Sequence, residues 1–383
     1  MSLFEGIEPA AAAMIAVLSL LIWIYLCFAH GRFWQSGPQL PAAAPLQFPD
    51  VDVVVPARDE AHTVAAAIGT LLEQDYGGSF RVILVDDNSS DATAELAKSA
   101  APAQSASRLE IISLKSKAAG WSGKLWALSQ GVAAGHAPFL LFTDADIVHD
   151  PRHLSSLVAK LLHSGVDMVS EMVRLNCSSV AERALVPAFV YFFQMLYPFN
   201  QVNDPRSRVA AAAGGTVLIR RDALQRLGGI DAIKSALIDD VALAKAVKAG
   251  GAIFIGHSGL ASSIRPYPHF SDIWHMVSRT AFTQLRYSMA LLALTLLGLT
   301  LVWLAPVAAM LFGQGWPRAC GAAAFTIALL TYVPTLRRYG QSPLWALALP
   351  LIALFYMAAT LGSALEYWLG RGARWKSRAY GPD

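Results

Sequence analysis

Apolar and polar positions divide the chain into three regimes. Residues 10–29 are apolar almost without interruption. At about 1.5 Å per helical residue they can cross a hydrocarbon core of about 30 Å. Glu5 and Glu8 precede this stretch and no Lys or Arg does, which argues against a cleaved signal peptide. Arg32 follows it, and that slight basic bias predicts an outside N-terminus and a cytoplasmic Arg32 side. Residues 1–31 therefore read as a membrane anchor, and residues 32–49, rich in Pro and Ala, as a linker.

From Val51 short β-branched runs alternate with helical periodicity. Val51-Asp52-Val53-Val54-Val55 predicts a strand ended by Pro56, and residues 63–74 a helix. Arg81-Val82-Ile83-Leu84-Val85 predicts a second strand, closed by the acidic turn Asp86-Asp87-Asn88-Ser89-Ser90-Asp91, which caps a helix starting near Ala92. Residues 109–113 read as a third strand, 122–134 as a helix and 139–143 as a fourth strand. This alternation predicts an α/β domain, an open and mostly parallel sheet with helices on both faces, whose ligands bind at the C-terminal strand ends. Beyond it, residues 216–220 predict a strand preceded by Gly214-Gly215, where missing side chains let backbone approach a ligand. Asp239-Asp240 opens a helix running through Lys248.

Two segments have a membrane-facing character. Residues 187–199 (PAFVYFFQMLYPF) are apolar and aromatic but too short to span; they read as core or as an element lying in the interface, the interface being favoured. Phe270, Ile273, Trp274, Val277, Ala281 and Leu285 recur at helical spacing while His275, Arg279 and Arg286 share another face. Residues 266–287 thus predict a basic amphipathic helix on an anionic lipid surface, or else an ordinary surface helix. Three apolar stretches follow within residues 288–370, about 289–312, 319–336 and 344–369, and residues 371–383 form a basic tail. Three full crossings would place Arg371, Arg374, Lys376 and Arg378 outside, against the positive-inside tendency. The reading preferred here keeps the tail cytoplasmic, with 344–369 broken at Pro350 and not crossing fully.

Composition agrees with a membrane protein: 55% of the 383 residues are hydrophobic and 15% charged, against roughly 25% charged in soluble domains. A net charge of +3 with no dense Lys/Arg stripe gives no basis for nucleic-acid binding. Cys27, Cys177 and Cys320 lie far apart and suggest neither a disulfide framework nor a zinc site.

The candidate chemistry gathers at strand ends. Asp59-Glu60 lies just beyond the first strand, Asp86-Asp87 after the second, and Asp144-Ala145-Asp146 after the fourth. The apolar run 139–143 reads as a buried strand whose C-terminal tip delivers both acids to one edge, so Asp144 and Asp146 sit on one side and face one divalent cation; alternatively the acids start a helix, since Asp150-Pro151 follows. Three acidic clusters on one edge suit a cation bridging to phosphate oxygens. Lys124, near a helix start, meets a diphosphate or is a surface lysine. Gly120-Trp121-Ser122-Gly123-Lys124-Leu125 has the wrong spacing for a P-loop, no G-x-G-x-x-G follows the first strand, and no G-x-S-x-G is present.

The ordered series Val55-Pro56-Ala57-Arg58-Asp59-Glu60, Val85-Asp86-Asp87-Asn88-Ser89-Ser90-Asp91-Ala92-Thr93, Gly123-Lys124 and Thr143-Asp144-Ala145-Asp146 resembles the nucleotide-sugar half of family 2 glycosyltransferases with the GT-A fold. Gly214-Gly215, Arg220-Arg221-x-x-Leu224-x-x-x-Gly228-Gly229 and Ile238-Asp239-Asp240 resemble the acceptor half. Trp121-Ser122-Gly123-Lys124-x-Trp126-Ala127 and Gly372-Ala373-Arg374-Trp375-Lys376-Ser377-Arg378 resemble hopanoid-associated glycosyltransferases, with ceramide glucosyltransferases as next neighbours.

The resemblance implies a Rossmann-like GT-A domain over residues 50–265 between N- and C-terminal transmembrane helices, in the cytoplasmic membrane with the catalytic domain facing the cytoplasm. It implies a nucleoside pocket at Pro56, Arg58 and Glu60, base binding by Asp86 or Asp87, Lys124 and Asp144 near the sugar-diphosphate, and Mg²⁺ or Mn²⁺ on Asp144 and Asp146. Asp240 matches the general base, with Gly214, Gly215, Asp239 and Arg279 on the acceptor side. The expected reaction is inverting transfer from a nucleotide sugar, a UDP-sugar by preference, to a membrane lipid such as a hopanoid or sphingolipid. Alternatives are a processive polysaccharide synthase and an inactive membrane scaffold. The family's Q-x-x-R-W motif is here Met276-x-x-Arg279-Thr280, without the tryptophan that stacks on a growing glycan, which favours single transfer.

Overall fold

The computed structural model describes residues 9–370 and the backbone of 374–375 and 378–379. The chain forms two compact units. One is α/β, built from Gly37–Asn176 and Gln201–Pro266; the other is helical and takes in residues 9–36, Cys177–Asn200 and 267–370. Residues 177–200, assigned above to the α/β domain, thus belong to the helical unit. The basic tail beyond Gly370, with Arg371, Arg374, Lys376 and Arg378, lies outside the described side chains.

The α/β unit is one sheet of eight strands: β1 Val51–Ala57, β2 Phe80–Asp86, β3 Leu109–Ser113, β4 Phe139–Thr143, β5 Ile147–His149, β6 Met168–Arg174, β7 Thr216–Arg220 and β8 Ile253–Ser263. Their order is β3-β2-β1-β4-β7-β6-β8-β5. The predicted strands β1 to β4 form a parallel half, as expected. β7 enters antiparallel between β4 and β6, and β5 pairs antiparallel with β8. Every residue of β1 is buried, which its β-branched run requires of a strand covered on both faces. Val53, Val55, Ile68, Leu84, Leu141 and Leu157 lie in one continuous core. The helix Gly123–Ala134 lies so close to β1 that a Cβ on Gly131 would stand 2.3 Å from Val54 Cγ1, so only glycine fits there.

Register decides what the sheet edge presents. Ala57 at the end of β1 lies beside Asp86 at the end of β2. Thr143, last in β4, pairs with Thr216, first in β7, so Gly214-Gly215 enters the sheet where Asp144 leaves it. At the opposite end Asp52, 2% exposed, accepts from Arg81 Nε at 2.7 Å, Arg221 Nη2 at 3.0 Å and the Ala137 amide at 2.7 Å. Asp52→Ala should destabilise the unit by about 2–3 kcal/mol, because two guanidiniums and an amide lose their acceptor while still partly desolvated. Thermal unfolding of the full chain in detergent measures this; an unchanged midpoint would remove Asp52 from the stabilising network.

The helical unit contains four helices long and apolar enough to cross a membrane: Pro9–Phe28, Met289–Phe312, Gly315–Arg338 and Pro343–Trp368. Pro350 does not break the last. It falls in the first turn of the helix Leu349–Trp368, where a missing N–H costs nothing. The 20 residues of that helix span about 30 Å, so the expected incomplete crossing finds no geometric support. Trp23 locks the first helix: it is fully buried, donates to the Val302 carbonyl at 2.7 Å, and meets Trp303 edge-on at 5.0 Å.

Residues 187–199 are core rather than interface. They belong mostly to the helix Val180–Leu196, started by a Ser179–Glu182 capping box. Tyr191, fully buried, bonds Thr331 at 2.8 Å, while Phe192 packs on Trp303 and Tyr356 at 5.4 and 5.1 Å. The predicted amphipathic helix is two short helices, Phe270–Ser278 and Ala281–Gln284, with Arg279 exposed at the break. Trp274 lies against Gly362, where an added Cβ would stand 2.7 Å from its ring.

Candidate active site

Lys124 is the centre of the charged edge. Ser122 caps its helix by accepting from the Leu125 amide at 3.3 Å, which puts Lys124 in the first turn. Its ammonium lies 2.9 Å from Asp144 and 3.1 Å from Asp239. Burial alone would lower its pKa; the charges of Asp144 and Asp239 outweigh that and raise it. Lys124 is thus a cation held between two carboxylates and largely withdrawn from solvent.

Asp239 and Asp240 occupy the first turn of the helix Asp239–Lys248, where the dipole favours negative charge. Asp240 accepts from the Gly214 amide at 2.8 Å and from its neighbour Val241 at 2.7 Å. Gly214 lies close to both charged groups: an added Cβ would lie 3.3 Å from Asp240 Oδ2 and 3.4 Å from Lys124 Nζ. The close approach that glycine allows is to the chain's own charged groups. Burial, then the charge of Asp239, pushes the Asp240 pKa up to about 7, with Lys124 partly opposing. Burial likewise raises Asp144, although Lys124 opposes it and 35% of that side chain reaches solvent. Pro56, Lys124, Asp144, Gly214, Asp239 and Asp240 line one cleft, floored by Leu125, Leu128, Phe142 and Val217.

The two acids of Asp144-Ala145-Asp146 do not share a partner. Extended geometry ends at Thr143 and the chain turns, with the Ile147 amide returning to the Asp144 carbonyl at 3.3 Å. The i, i+2 alignment therefore lapses. Asp144 meets Lys124, whereas Asp146 accepts from Arg265 Nε at 2.9 Å and Ser263 Oγ at 3.0 Å. Arg265 also donates to Glu60 at 2.6 Å, tying the first acidic cluster to the third. Among the described residues no group of three His, Cys, Asp or Glu side chains converges on a cation position. Two carboxylates suffice where substrate phosphates complete the shell, so the donor chemistry fits Mg²⁺ or Mn²⁺ once Lys124 and Arg265 yield.

The second cluster builds a loop. Asp87 is fully buried; its amide donates to Ala57 at 2.8 Å, and Arg58 Nη1 donates to its carbonyl at 2.5 Å. Asp86 accepts from the Ser89 amide at 3.2 Å, Asp59 from the Ser90 amide at 2.8 Å, and the Glu60 amide donates to Thr93 at 2.8 Å. Arg279 belongs to the helical unit and closes the helix Phe270–Ser278, its amide donating to His275. Arg265 and Ser263 were not foreseen: nothing local marks a residue whose partners lie 119 and 205 positions away.

Residues 52–228 match the family model Glycosyl transferase family 2. An N-acetylglucosaminyltransferase of Neorhizobium galegae is 34% identical over 90 residues, 23% of this chain and 21% of that protein. Glycosyltransferase AglE of Haloferax volcanii is 26% identical over 184 residues, 47% of this chain and 55% of that one. The matches thus span about a fifth and about half of these relatives' lengths. The mannosyltransferase PcManGT of Pyrobaculum calidifontis, solved with GDP-Man and Mn²⁺, superposes with a TM-score of 0.59 at 19% identity, covering 95% of this chain and 100% of that one. Residues 52–228 are thus similar to a family 2 glycosyltransferase domain, the fold is GT-A, and the chain has four helices apolar enough to span a membrane.

Proposed function

We propose that this chain is a membrane glycosyltransferase moving one sugar from a nucleotide donor, a UDP-sugar by preference, to a lipid hydroxyl with inversion. The observation that carries the reading is Lys124 held between Asp144 and Asp239, with Asp240 fixed beside it, inside a family 2 domain. Such a cleft has a cation for a diphosphate and a carboxylate for a hydroxyl proton. The relatives' names and the nucleotide sugar bound by PcManGT support a nucleotide-sugar donor. Four apolar helices in the same chain favour an acceptor anchored in the bilayer, a hopanoid or sphingolipid-like lipid, and a cytoplasmic-membrane location with the site facing the nucleotide-sugar pool.

In this mechanism Lys124 turns from Asp144 to the incoming diphosphate and offsets its charge. Mg²⁺ or Mn²⁺ held by Asp144 and Asp146 would neutralise the departing nucleoside diphosphate. Asp240, oriented by the Gly214 and Val241 amides, takes the acceptor proton as the hydroxyl oxygen attacks the anomeric carbon from the face opposite the leaving group.

Asp240 supplies a pH test. Its carboxyl, pushed up to about 7 in the free enzyme, is protonated below that value and able to accept a proton only above it. kcat/KM for transfer should then fall about tenfold per unit below about pH 7. A profile flat down to pH 5 would exclude Asp240 as the base. Purified protein incubated with UDP-sugars, a divalent cation and membrane lipid extract should release nucleotide and yield a lipid carrying one sugar. A polymeric product would establish a processive synthase, and no donor turnover with any nucleotide sugar would leave the scaffold.

A further inference from the structure

Beneath the acidic edge runs a chain of buried polar groups that the proposed reaction does not use. Thr143 Oγ1 donates to the Gly215 carbonyl at 2.9 Å and lies 3.3 Å from His149 Nε2. His149 Nδ1 lies 2.8 Å from His153 Nδ1, and His153 Nε2 meets Glu171 Oε2. Thr143, His149, His153 and Glu171 are respectively 1%, 5%, 1% and 0% exposed, so water does not take their place.

The proton inventory gives this chain one direction. The single hydroxyl proton of Thr143 goes to the Gly215 carbonyl, so the oxygen accepts from His149 Nε2–H. Burial, with His153 beside it, keeps His149 neutral, leaving its Nδ1 to accept from His153 Nδ1–H. His153 Nε2 then faces Glu171 Oε2. The arrangement is a poor stability device: Glu171 Oε1 is buried with no hydrogen-bond partner among the described residues, and apolar replacements of similar volume are often neutral or better.

What the chain holds is the corner between the two halves of the site. Thr143 immediately precedes Asp144. Gly215 follows Gly214, whose amide orients Asp240. A Gly-Gly corner has more backbone freedom than any other dipeptide. Hydroxyls from Thr143 and from Thr216, at 2.9 and 2.7 Å, pin its carbonyl. We propose that Thr143, His149, His153 and Glu171 form a positioning relay, which fixes the Gly214-Gly215 corner and thereby the aim of Asp240 beside Asp144. The inference rests on the transfer reading above for its catalytic consequence, but its structural half stands on the corner alone.

His149→Leu removes both hydrogen bonds at similar volume, whereas the amide of His149→Gln can donate to Thr143 and accept from His153. Each full-length variant is measured for single-turnover transfer, for donor affinity with UDP-sugar and Mn²⁺, and for hydrogen exchange in residues 211–217. His149→Leu should lose about 10–100-fold in transfer, the scale of a small misplacement of a reacting group. Its donor affinity should stay within about threefold on that view, and the exchange of 211–217 should quicken. His149→Gln should recover most of both losses. If His149→Leu does not fold, Thr143→Val against Thr143→Ser makes the same comparison one link along. A folded His149→Leu protein with wild-type transfer and exchange overturns the proposal, as does a Gln variant no better than Leu. If the wild type transfers no sugar, the functional reading fails instead, and the exchange comparison still decides whether the relay holds the corner.

Discussion

Asp240→Asn is expected to cut sugar transfer at least about 100-fold, within the range of 10²–10⁴ for a general base, while leaving cation-dependent donor binding nearly intact. An alcohol is a poor nucleophile at neutral pH, and its proton needs an acceptor within hydrogen-bond reach as attack proceeds. Asp240 has that role available because its two oxygens are aimed by two backbone amides, at 2.8 and 2.7 Å, rather than consumed by an ion pair. Asn keeps one of these contacts and the side-chain volume but cannot accept the acceptor's proton. The lost contact costs on the order of 1 kcal/mol, less than tenfold in rate, so a 100-fold fall identifies the base and not the cap. Asp239→Asn should be milder: Asp239 contributes one side of the Lys124 pair, and Asp144 remains on the other. Single-turnover transfer and donor affinity, measured on both variants, decide the matter. Transfer above about a tenth of wild type by Asp240→Asn means the base lies elsewhere.

The parts of this site that were legible in the sequence are those where chemistry and local pattern coincide. β1, β2 and β4 are largely apolar runs with acids at or just beyond their C-terminal ends, which assigns those acids to one edge. Asp239 and Asp240 announce a helix by position and charge. β6 and β8 carry a weaker strand signal because polar residues interrupt their buried runs, Ser170 and Glu171 in one, His257 and Ser258 in the other. Each strand pairs with one that no local window contains. Asp146 turns away from Asp144 for a different reason. Alternation along a strand holds only while the backbone stays extended, and here it stops one residue before the motif begins. Residues 187–199 were ambiguous because aromatic density looks alike in a bundle core and at a lipid surface; the contacts of Tyr191 and Phe192, not composition, separate the two.

Asp144→Ala and Asp146→Ala should each lower transfer by on the order of 10²–10³-fold, the usual loss when one group stabilising transition-state charge is removed. Neither should unfold the domain. Losing Asp144 leaves Lys124 with Asp239, and losing Asp146 leaves Arg265 with Glu60. The variants also separate two ways in which a divalent cation can reach the site. With both acids paired to Lys124 and Arg265, the donor-free protein offers such a cation little unshared negative charge. A diphosphate changes this by drawing Lys124 to itself and adding its own oxygens. Mn²⁺ binding, followed by electron paramagnetic resonance, should therefore be weak in the free wild type and strengthen at least about tenfold when UDP is present, the gain expected when diphosphate oxygens join the shell. Lys124→Ala should bind Mn²⁺ more tightly than wild type without nucleotide, because Asp144 is then released, yet should lose transfer. Asp146→Ala should bind it poorly in both states. Tight Mn²⁺ binding by the nucleotide-free wild type would refute the competition, and an Asp144→Ala or Asp146→Ala protein that turns over normally without added cation would refute the assignment of these two acids altogether.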